Sequence, residues 1–399
     1  MVYRMTEWIE CTLDKLGEIV GGATPSTKCE DYYGGSIPWI TPKDLSSFKG
    51  RYITSGERNI TEKGLASCSA QMMPKDAVLF TSRAPIGYVA IASQSVCTNQ
   101  GFKSIVVNEK ADPLFVYYLL KYNKDAIEAM GSGTTFKEVS GKTMRAVKVR
   151  IPLDVSYQKR IAAVLDSLDT KIENNERIND NLEQQAQALF QELFIENADP
   201  EWREGTISDL GTVVGGSTPS KSKPEYYTEH GIAWITPKDL SVNKSKFITH
   251  GENDITELGL KNSSASIMPE GTVLFSSRAP IGYIAIAAGE VTTNQGFKSV
   301  IPRPAIGTPF VYYFLKNALP TIEGMASGST FKEVSGSTMK IVPAFIPDEE
   351  TLARFTEFCS PIFEQQQMLE RQNQSLAALR DSLLPKLMSG EIDVSDVSI

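Results

Sequence analysis

The chain has 399 residues, of which 41% are hydrophobic and 22% are charged, and its formal net charge is −8. This length is too great for one ordinary hydrophobic core and predicts two or three domains. The sequence has no apolar run long enough for a membrane span, and its acidic total excludes a protein that is basic over its whole surface.

The charge is distributed unevenly along the chain. Residues 1–152 carry 19 Lys and Arg against 15 Asp and Glu, and residues 201–346 carry 13 of each. Residues 153–200 and 347–399 each carry 4 basic against 10 acidic residues. The excess acid therefore lies in the two short segments, and the two large segments keep enough basic residues for a face that binds a polyanion.

The N-terminal region and the cysteines indicate the compartment. Glu7, Glu10 and Asp14 interrupt the stretch in which a secretory signal peptide would need an apolar core. The five cysteines are odd in number and form no Cys-x-x-Cys pair. This pattern argues against a disulfide framework and a zinc site, and we expect a cytoplasmic location.

The chain contains an internal repeat. Residues 80–92 read FTSRAPIGYVAIA, and residues 275–287, 195 positions later, read FSSRAPIGYIAIA. Near the start of each copy the offset is 194, as in GGATPS from Gly21 and GGSTPS from Gly215, so one residue has been gained near 228–231. Two copies of one module predict two similar surfaces. Further segments repeat at the 195-residue offset: WITPKDL from Trp39, TNQGFKS from Thr98, FVYYLLK from Phe115 (FVYYFLK in the second copy) and FKEVSG from Phe136.

Each copy predicts a mixed α/β module. In the first copy, β-rich runs at 77–80, 88–92 and 104–107 lie between clusters of Gly, Pro, Asn and Ser. Residues 113–130 predict a helix whose core face holds Phe115, Leu119 and Leu120.

A long helix is predicted after each module. Apolar residues recur at alternating spacings of four and three from Ile161 to Leu193, with Asn175 and Asn179 filling the two middle positions. The same spacing runs from Leu352 to Leu387. There the polar positions include Gln366 and Asn373.

The two helices predict an antiparallel pair. Two single seams in one chain pair most easily with each other, and an antiparallel arrangement would bring their polar positions together and fix the register. The alternative is that these positions are solvated on a loose bundle. Pro361 is expected to kink the second helix or delay its start.

With these two modules and two long helices, the chain resembles the specificity subunits of type I restriction-modification systems, the HsdS family. The resemblance covers essentially all 399 residues. Residues 158–194 resemble the central spacer helix of the family, and LRDSLLPKLMSGEI from Leu379 resembles its distal helix and tail. The modules open with GGATPS and GGSTPS and close with GSGTTFKEVSG and SGSTFKEVSG, and they resemble target-recognition domains.

The resemblance implies an α+β fold with a pseudo-two-fold repeat. Two similar mixed α/β target-recognition domains would be joined by two long helices that form an antiparallel coiled coil. Each domain would read one half of a gapped DNA target, and the helix pair would set the gap. The expected divisions are a first recognition domain at 1–152, a central spacer helix at 153–197, a second recognition domain at 198–347, and a distal spacer helix with C-terminal tail at 348–399.

The resemblance also implies the partners and cofactors. The expected partners are double-stranded DNA, two methyltransferase subunits and, where present, restriction/translocase subunits, with no membrane. The chain would need no cofactor of its own. The methyltransferase subunits would use S-adenosylmethionine, and a restriction subunit would use ATP and Mg²⁺.

The residues favour a non-catalytic subunit without metal ligands. The sequence lacks an Asn/Asp-Pro-Pro-aromatic motif, a GxxxxGK[ST] phosphate loop and a restriction-nuclease carboxylate pattern. Of the two histidines, His230 and His250, neither recurs in the first module, where Ser55 aligns with His250. Two alternatives stay open: a non-catalytic coiled-coil scaffold with two ligand-binding modules, and a hydrolase with an unrecognised site.

Candidate DNA contacts are basic and amide side chains that recur in both modules. Arg83 and its counterpart Arg278 lie in SRAPIG turns, where they would contact a base or a phosphate or form a structural salt bridge. Lys43 in ITPKDL would contact a phosphate, and the neighbouring Asp44 would orient it or accept from cytosine N4. The second-module counterparts of these two residues are Lys238 and Asp239.

Two further motifs add candidates. The TNQG motifs supply amide side chains that would read adenine, although they also suit an ordinary turn. A loop of small polar residues ending in Lys would bind phosphate oxygens. The residues are Asn99, Gln100, Asn294 and Gln295 for TNQG, and Thr134, Thr135, Lys137, Ser329, Thr330 and Lys332 for the polar loop.

The likeness of the two modules predicts a gapped target that is palindromic or nearly so. Half-site centres are expected about one helical turn apart, ~10–12 bp, so that both readers face the same side of the duplex. Differences between the copies, such as Arg51 against Lys246 and Lys63 against Leu258, could break the symmetry at one base.

Overall fold

The computed structural model describes residues 7–133, 137–328 and 332–397. It contains two compact units. The first consists of Met1–Asn174 and Gln374–Ile399, and the second of Asn175–Asn373. Each unit therefore combines one module with a part of each long helix, whereas the predicted divisions at 152, 197 and 347 follow chain order and stay a prediction. Within the described ranges, no helix is long and apolar enough to cross a membrane.

The first unit is built on two sheets and a strand pair. A five-stranded sheet has the order β2-β9-β6-β7-β4, a smaller sheet has the order β5-β3-β8, and β1 pairs with β10. The strands are β1 (Trp8–Thr12), β2 (Gly17–Gly21), β3 (Tyr33–Ile40), β4 (Tyr52–Ile53), β5 (Asn59–Ile60), β6 (Val78–Ser82), β7 (Ile86–Ala92), β8 (Cys97–Thr98), β9 (Lys103–Val107) and β10 (Lys148–Pro152). The helices are α1 (Pro42–Ser46), α2 (Glu62–Ala66), α3 (Pro113–Tyr122), α4 (Lys124–Ala129), α5 (Gly141–Arg145) and the first part of α6 (Val155–Gln191).

The second unit repeats this topology, and α6 ends in it with a π-helical turn at Glu192–Glu196. Its five-stranded sheet has the order β12-β20-β17-β18-β15, its smaller sheet has the order β13-β16-β14-β19, and β11 pairs with β21. The strands are β11 (Arg203–Thr206), β12 (Gly211–Gly215), β13 (Tyr227–Thr228), β14 (Ile232–Ile235), β15 (Phe247–Ile248), β16 (Asn253–Ile255), β17 (Val273–Ser277), β18 (Ile281–Ala287), β19 (Thr292–Thr293), β20 (Lys298–Pro302) and β21 (Pro343–Ile346). The helices are α7 (Ile207–Leu210), α8 (Pro237–Val242), α9 (Glu257–Lys261), α10 (Thr308–Asn317), α11 (Leu319–Gly324), α12 (Gly336–Lys340) and α13 (Glu349–Ser389).

The helix predicted at 113–130 is two helices, α3 and α4. They meet at Asn123, whose side chain donates to the carbonyl oxygen of Leu119 at 2.8 Å, and the second copy divides at the equivalent Ala318. The predicted core face was too narrow, because residues 115–120 are all buried. Helix α3 packs on β7, and its Tyr118 hydroxyl donates to Asp169 of α6 at 2.7 Å. It is therefore covered on more than one side.

Within each unit the two long helices run antiparallel, as predicted. In the first unit the Tyr157 hydroxyl bonds Asp393 at 2.9 Å, and Arg380 bonds Asp169 at 2.6 Å. Rising numbers on α6 thus meet falling numbers on α13 and on the segment that follows its end at Ser389. Apolar residues at the predicted spacing form the seams: Ile161, Leu165 and Leu387 in the first unit, and Ala186, Leu352, Phe355, Cys359 and Ile362 in the second.

The polar seam positions meet in the second unit. Asn175 donates to Asn373 at 2.8 Å, and Gln366 donates to the carbonyl oxygen of Asn179 at 3.2 Å. Asn175 is fully buried and Gln366 is 3% exposed. The alternative of solvated positions is therefore wrong for these two side chains, because both lie inside the helix pair.

The expected delay at Pro361 is also wrong. Helix α13 begins at Glu349, where Asp348 accepts from the backbone amide of Thr351 at 2.8 Å, and it continues through Pro361. Pro361 is exposed, so the carbonyl that loses its helical partner lies on a face that water reaches.

Candidate nucleic-acid interface

Four loops of the first unit are bonded to one another where they leave β2, β3, β6 and β8. We call residues 22–24, 41–43, 82–85 and 98–101 the first loop cluster. These loops carry the GGATPS, ITPKDL, SRAPIG and TNQG motifs. The joining backbone hydrogen bonds run from Ala23 to Thr98 (3.0 Å), from Asn99 to Ile40 (3.0 Å) and from Ser82 to Gly101 (2.7 Å).

The second unit holds the same arrangement. We call residues 216–218, 236–238, 277–280 and 293–296 the second loop cluster. The equivalent bonds run from Ser217 to Thr293 (2.8 Å), from Asn294 to Ile235 (3.0 Å) and from Ser277 to Gly296 (2.7 Å).

Glycine is required where the loops cross. A Cβ atom at Gly22 would lie 2.1 Å from the carbonyl oxygen of Asn99, and one at Gly216 would lie 2.0 Å from that of Asn294. Any side chain at these positions would push the GGATPS or GGSTPS loop away from TNQG. The glycines therefore preserve the close packing of both clusters.

The two amides of each TNQG motif have different surroundings. The Asn99 side chain accepts from the backbone amide of Gly101 at 2.8 Å, which closes the turn, whereas Gln100 is exposed and accepts from the Thr24 hydroxyl. Asn294 bonds Gly296 in the same way at 2.8 Å. Gln295, like Gln100, is exposed and accepts from a threonine hydroxyl, that of Thr218. The glutamines are therefore better placed than the asparagines to meet a ligand.

Lys43 is held at the surface by an ion pair. Its ammonium lies 2.6 Å from Glu57, and the two side chains are 78% and 65% exposed. The hydrogen bond to Glu57 raises the pKa of Lys43. Lys238 pairs with Glu252 at the same distance. An exposed pair of this kind contributes little stability, so a phosphate group could replace the carboxylate as partner of either lysine.

Asp44 fixes the loop that carries Lys43. One carboxylate oxygen accepts from the backbone amide of Thr41 at 2.7 Å, and the other accepts from that of Glu57 at 2.8 Å. Asp239 bonds Thr236 and Glu252 in the same way. These bonds cap α1 and α8, and they occupy the carboxylate oxygens that would otherwise orient the lysine or accept from cytosine.

Arg83 forms a salt bridge, which was one of the two roles expected from the sequence. Its guanidinium lies 3.5 Å from Glu138, which also lies 3.6 Å from Lys103. The corresponding distances in the second unit are 3.5 Å from Arg278 to Glu333 and 3.7 Å from Lys298 to Glu333. Arg83 nevertheless keeps 36% of its side chain exposed.

The small-polar loop ends beside this salt bridge. The backbone of Glu138 pairs with Ser132, and the amide of Val139 donates to the carbonyl oxygen of Ser82 at 2.9 Å, which ties the loop end to the first loop cluster. Lys137 and Lys332 are exposed. Thr134, Thr135, Ser329 and Thr330 lie outside the described residues.

Sequence reasoning missed Lys103 and Lys298. Both belong to the repeated TNQGFKS motif, and each is the first residue of the strand, β9 or β20, that follows the TNQG turn. They are 16% and 14% exposed, and burial lowers the pKa of Lys298. The recurrence of a lysine at this position in both copies was the available signal.

Arg51 and Lys246 do not lie at the candidate interface. They are 6% and 8% exposed, and each forms ion pairs with a long helix of its own unit. The expectation that this difference changes a base contact is therefore wrong. Across the ranges that the structure describes, no group of three or more His, Cys, Asp and Glu side chains could hold a metal ion.

Comparison with known proteins shows the family of the chain. The family model of the type I restriction modification DNA specificity domain matches residues 5–184 and again residues 200–380. The Type I restriction enzyme MjaIX specificity subunit of Methanocaldococcus jannaschii is 31% identical, over 98% of this chain and 95% of that protein. The HindI specificity subunit of Haemophilus influenzae is 26% identical, over 73% of this chain and 80% of that protein.

A solved structure shares the fold. The crystal structure of the type I restriction-modification system S subunit from M. genitalium superposes with a TM-score of 0.61 at 17% identity and covers 97% of both chains. The repeated family match extends over both loop clusters and most of both long helices. The chain belongs to the family of type I restriction modification DNA specificity domains and carries two copies of that domain.

Proposed function

We propose that this chain is the DNA specificity subunit of a type I restriction-modification complex and that each loop cluster reads one half of a gapped target. The observation that carries the proposal is the recurrence of one cluster in two units, with equivalent hydrogen bonds and ion pairs. Exposed lysines and glutamines suit phosphate and base contacts respectively. Because the clusters are so similar, the two half-sites should be identical or nearly identical on opposite strands.

The long helices would set the gap and dock the partners. Two methyltransferase subunits would bind the helices and modules, and restriction/translocase subunits would join where the host encodes them. The names of the two relatives as type I restriction enzyme specificity subunits support such a complex. It would act in the cytoplasm, where the host DNA lies.

The chemistry would reside in the partner subunits. S-adenosylmethionine would be used by the methyltransferase subunits, and ATP with Mg²⁺ by a restriction subunit. The polar side chains of the loop clusters are amides, hydroxyls and cations, which are groups suited to contact DNA without altering it. The chain itself would supply binding and orientation and would bind no cofactor.

The test is DNA binding by the full chain assembled with the methyltransferase subunits of its host. Affinity for random duplexes and for the selected target should be measured at several salt concentrations. We expect a sequence-selective affinity that falls steeply with salt, since phosphate contacts release counterions. A DNA affinity that changes with neither the sequence nor the salt concentration would point instead to a scaffold whose modules bind another ligand.

A further inference from the structure

Arg51 and Lys246 occupy equivalent positions at the edge of each large sheet. The carbonyl oxygen of Arg51 accepts from the backbone amide of Ile91 in β7 at 2.7 Å, and that of Lys246 accepts from Ile286 in β18 at 2.7 Å. The main chain of each residue is thus part of the recognition module. The side chain of each points the other way, into the long helices of its unit.

The Arg51 guanidinium binds two turns of α6. It lies 3.0 Å from Asp166, 2.8 Å from the hydroxyl of Thr170 and 3.3 Å from Glu173. These acceptors are spaced four and three residues apart, so they share one face of the helix. Nη2 makes both hydrogen bonds, to Thr170 and Glu173, and Nε adds a close ion pair with Asp166, so the buried guanidinium is held against one face of α6.

Neighbouring groups support this contact. Asp169, on the same helix, accepts from the Tyr118 hydroxyl at 2.7 Å and from Arg380 of α13 at 2.6 Å. The Arg51 network therefore joins the module, through β4 and α3, to both long helices within the first unit.

Lys246 reaches its helices by a different set of contacts. Its ammonium lies 2.8 Å from Glu183 of α6, 2.9 Å from Gln366 of α13 and 3.2 Å from the Tyr313 hydroxyl. It also lies 3.6 Å from the centre of the Phe363 ring, within cation–π range. The pocket thus fits a compact ammonium group.

Helix α13 also binds the backbone at Lys246 and Phe247. The carboxylate of Glu370 on α13 accepts from the amides of Lys246 at 2.8 Å and Phe247 at 3.0 Å. Both the main chain and the side chain of position 246 are therefore fixed by the long helices of the second unit.

We propose that Arg51 and Lys246 are positioning residues that fix the placement of each recognition module on its helices and thereby determine which gap length the complex accepts. The inference rests on the proposed function. Buried ion pairs contribute little net stability because desolvation offsets their attraction, but breaking one leaves a buried charge without a partner. Their value here is directional: a methionine would fill much of the same volume without fixing an angle.

The test uses the full chain assembled with its methyltransferase subunits and a set of duplexes. These duplexes carry the native half-sites separated by the native gap or by a gap changed by about one to three base pairs. The methylation rate is measured on each duplex for the wild-type chain and for Arg51→Met and Lys246→Met. Thr170→Val serves as a milder variant that removes one contact to Arg51 without a buried charge change. Lys148→Met replaces an exposed lysine as control.

We expect the wild type and Lys148→Met to methylate only the native gap efficiently. Arg51→Met and Lys246→Met should raise the ratio of altered-gap to native-gap methylation by about tenfold, as expected for the loss of charged hydrogen bonds, and Thr170→Val should raise it less. Arg51→Lys should recover only part of the gap preference, because the ammonium keeps the charge beside the acidic face of α6 but is a single compact donor group in place of the longer, planar guanidinium.

An equal loss of rate at every gap would overturn the proposal, since it would indicate only a structural role. An unchanged gap preference in Arg51→Met, Lys246→Met and Thr170→Val would overturn it too. Failure of the proposed function looks different, because the wild-type complex would then show no preference for the half-sites at any gap.

Discussion

The side-chain amide of Asn175 donates to Oδ1 of Asn373 at 2.8 Å, inside the buried seam of the second unit. Asn175 also bonds Gln372 at 2.8 Å, so the buried Asn175 amide joins the half-buried Asn373 and the exposed Gln372 in a small polar network. Such a network costs stability compared with leucine but defines a single register, because any slip of the helices leaves buried amides unpaired.

Asn175→Leu should therefore destabilise the second unit. The substitution removes the hydrogen bond to the half-buried Asn373 and should lower the free energy of unfolding by about 0.5–1.5 kcal/mol. The double variant Asn175→Leu/Asn373→Leu should recover most of that loss. Urea unfolding of the full chain measures both values. Additive losses in the double variant would contradict a direct coupling of the two side chains.

Glu183 should make the second unit sensitive to acid. Burial raises the pKa of this carboxyl, but Lys246 and Lys316 outweigh burial and lower the pKa to about 2. The folded state holds the proton of the Glu183 carboxyl less tightly than the unfolded state does. The stability that this carboxylate gives the fold is therefore present above the unfolded pKa of about 4.5 and is lost as pH falls toward 2. Glu183→Gln should remove about 2 kcal/mol of the change in unfolding free energy between pH 6 and pH 3, the interval over which unfolding is measured. Parallel pH profiles for the two proteins would show that the ion pair does not form.

Lys43→Ala and Lys238→Ala should weaken DNA binding at every sequence. If each lysine contacts one phosphate, each substitution should reduce the slope of log affinity against log salt by about 0.9. Lys148→Ala is the matched control, because Lys148 is 74% exposed and pairs with Glu10 at 3.1 Å but lies on β10, outside the loop clusters. An equal effect of the control would mean that the lysines act only through net charge.

Gln100→Ala and Gln295→Ala should each relax one half-site. A side chain that makes a good bidentate contact with adenine contributes about 1–3 kcal/mol of discrimination, and each glutamine belongs to one cluster only. Methylated sites should therefore degenerate at one base in one half, with the other half unchanged. Selection of methylated sequences by the assembled complex measures this. Intact specificity in both variants would remove the glutamines from the list of readers.

The buried thiols should resist modification. Burial raises the pKa of Cys97 and of Cys359 to about 12, so both are protonated at neutral pH and shielded from reagents. Alkylation of the folded chain at pH 8 should label the half-buried Cys11, Cys29 and Cys68, and Cys97 and Cys359 should react only after unfolding. Mass spectrometry of the labelled peptides gives the result, and rapid labelling of Cys359 in the folded chain would contradict its place in the seam.

Some of this structure follows from sequence periodicity. The heptad spacing predicted an antiparallel pair with Asn175 and Gln366 at buried positions, because a helix seam depends on spacing along one chain segment. The repeated motifs likewise indicated two similar surfaces, although they did not separate Gln100, which is exposed, from Asn99, which closes a turn.

Other features depend on tertiary contacts that no local pattern encodes. Arg51 was expected to differ from Lys246 in a base contact, but its partners lie 119 and 122 residues away on α6. The helix breaks at Asn123 in the first copy and at the equivalent Ala318 in the second, so the break does not depend on the side-chain hydrogen bond of Asn123. The Asp348 cap sets the start of α13. The helix tolerates Pro361 because this proline faces solvent.

Two similar modules should read two similar half-sites, and modified-base sequencing of host DNA with and without this gene tests this directly. We expect deletion to remove N6-methyladenine from one gapped sequence whose halves form an inverted repeat or nearly so. Loss of a methylation site with two unrelated halves would show that the modules read different sequences.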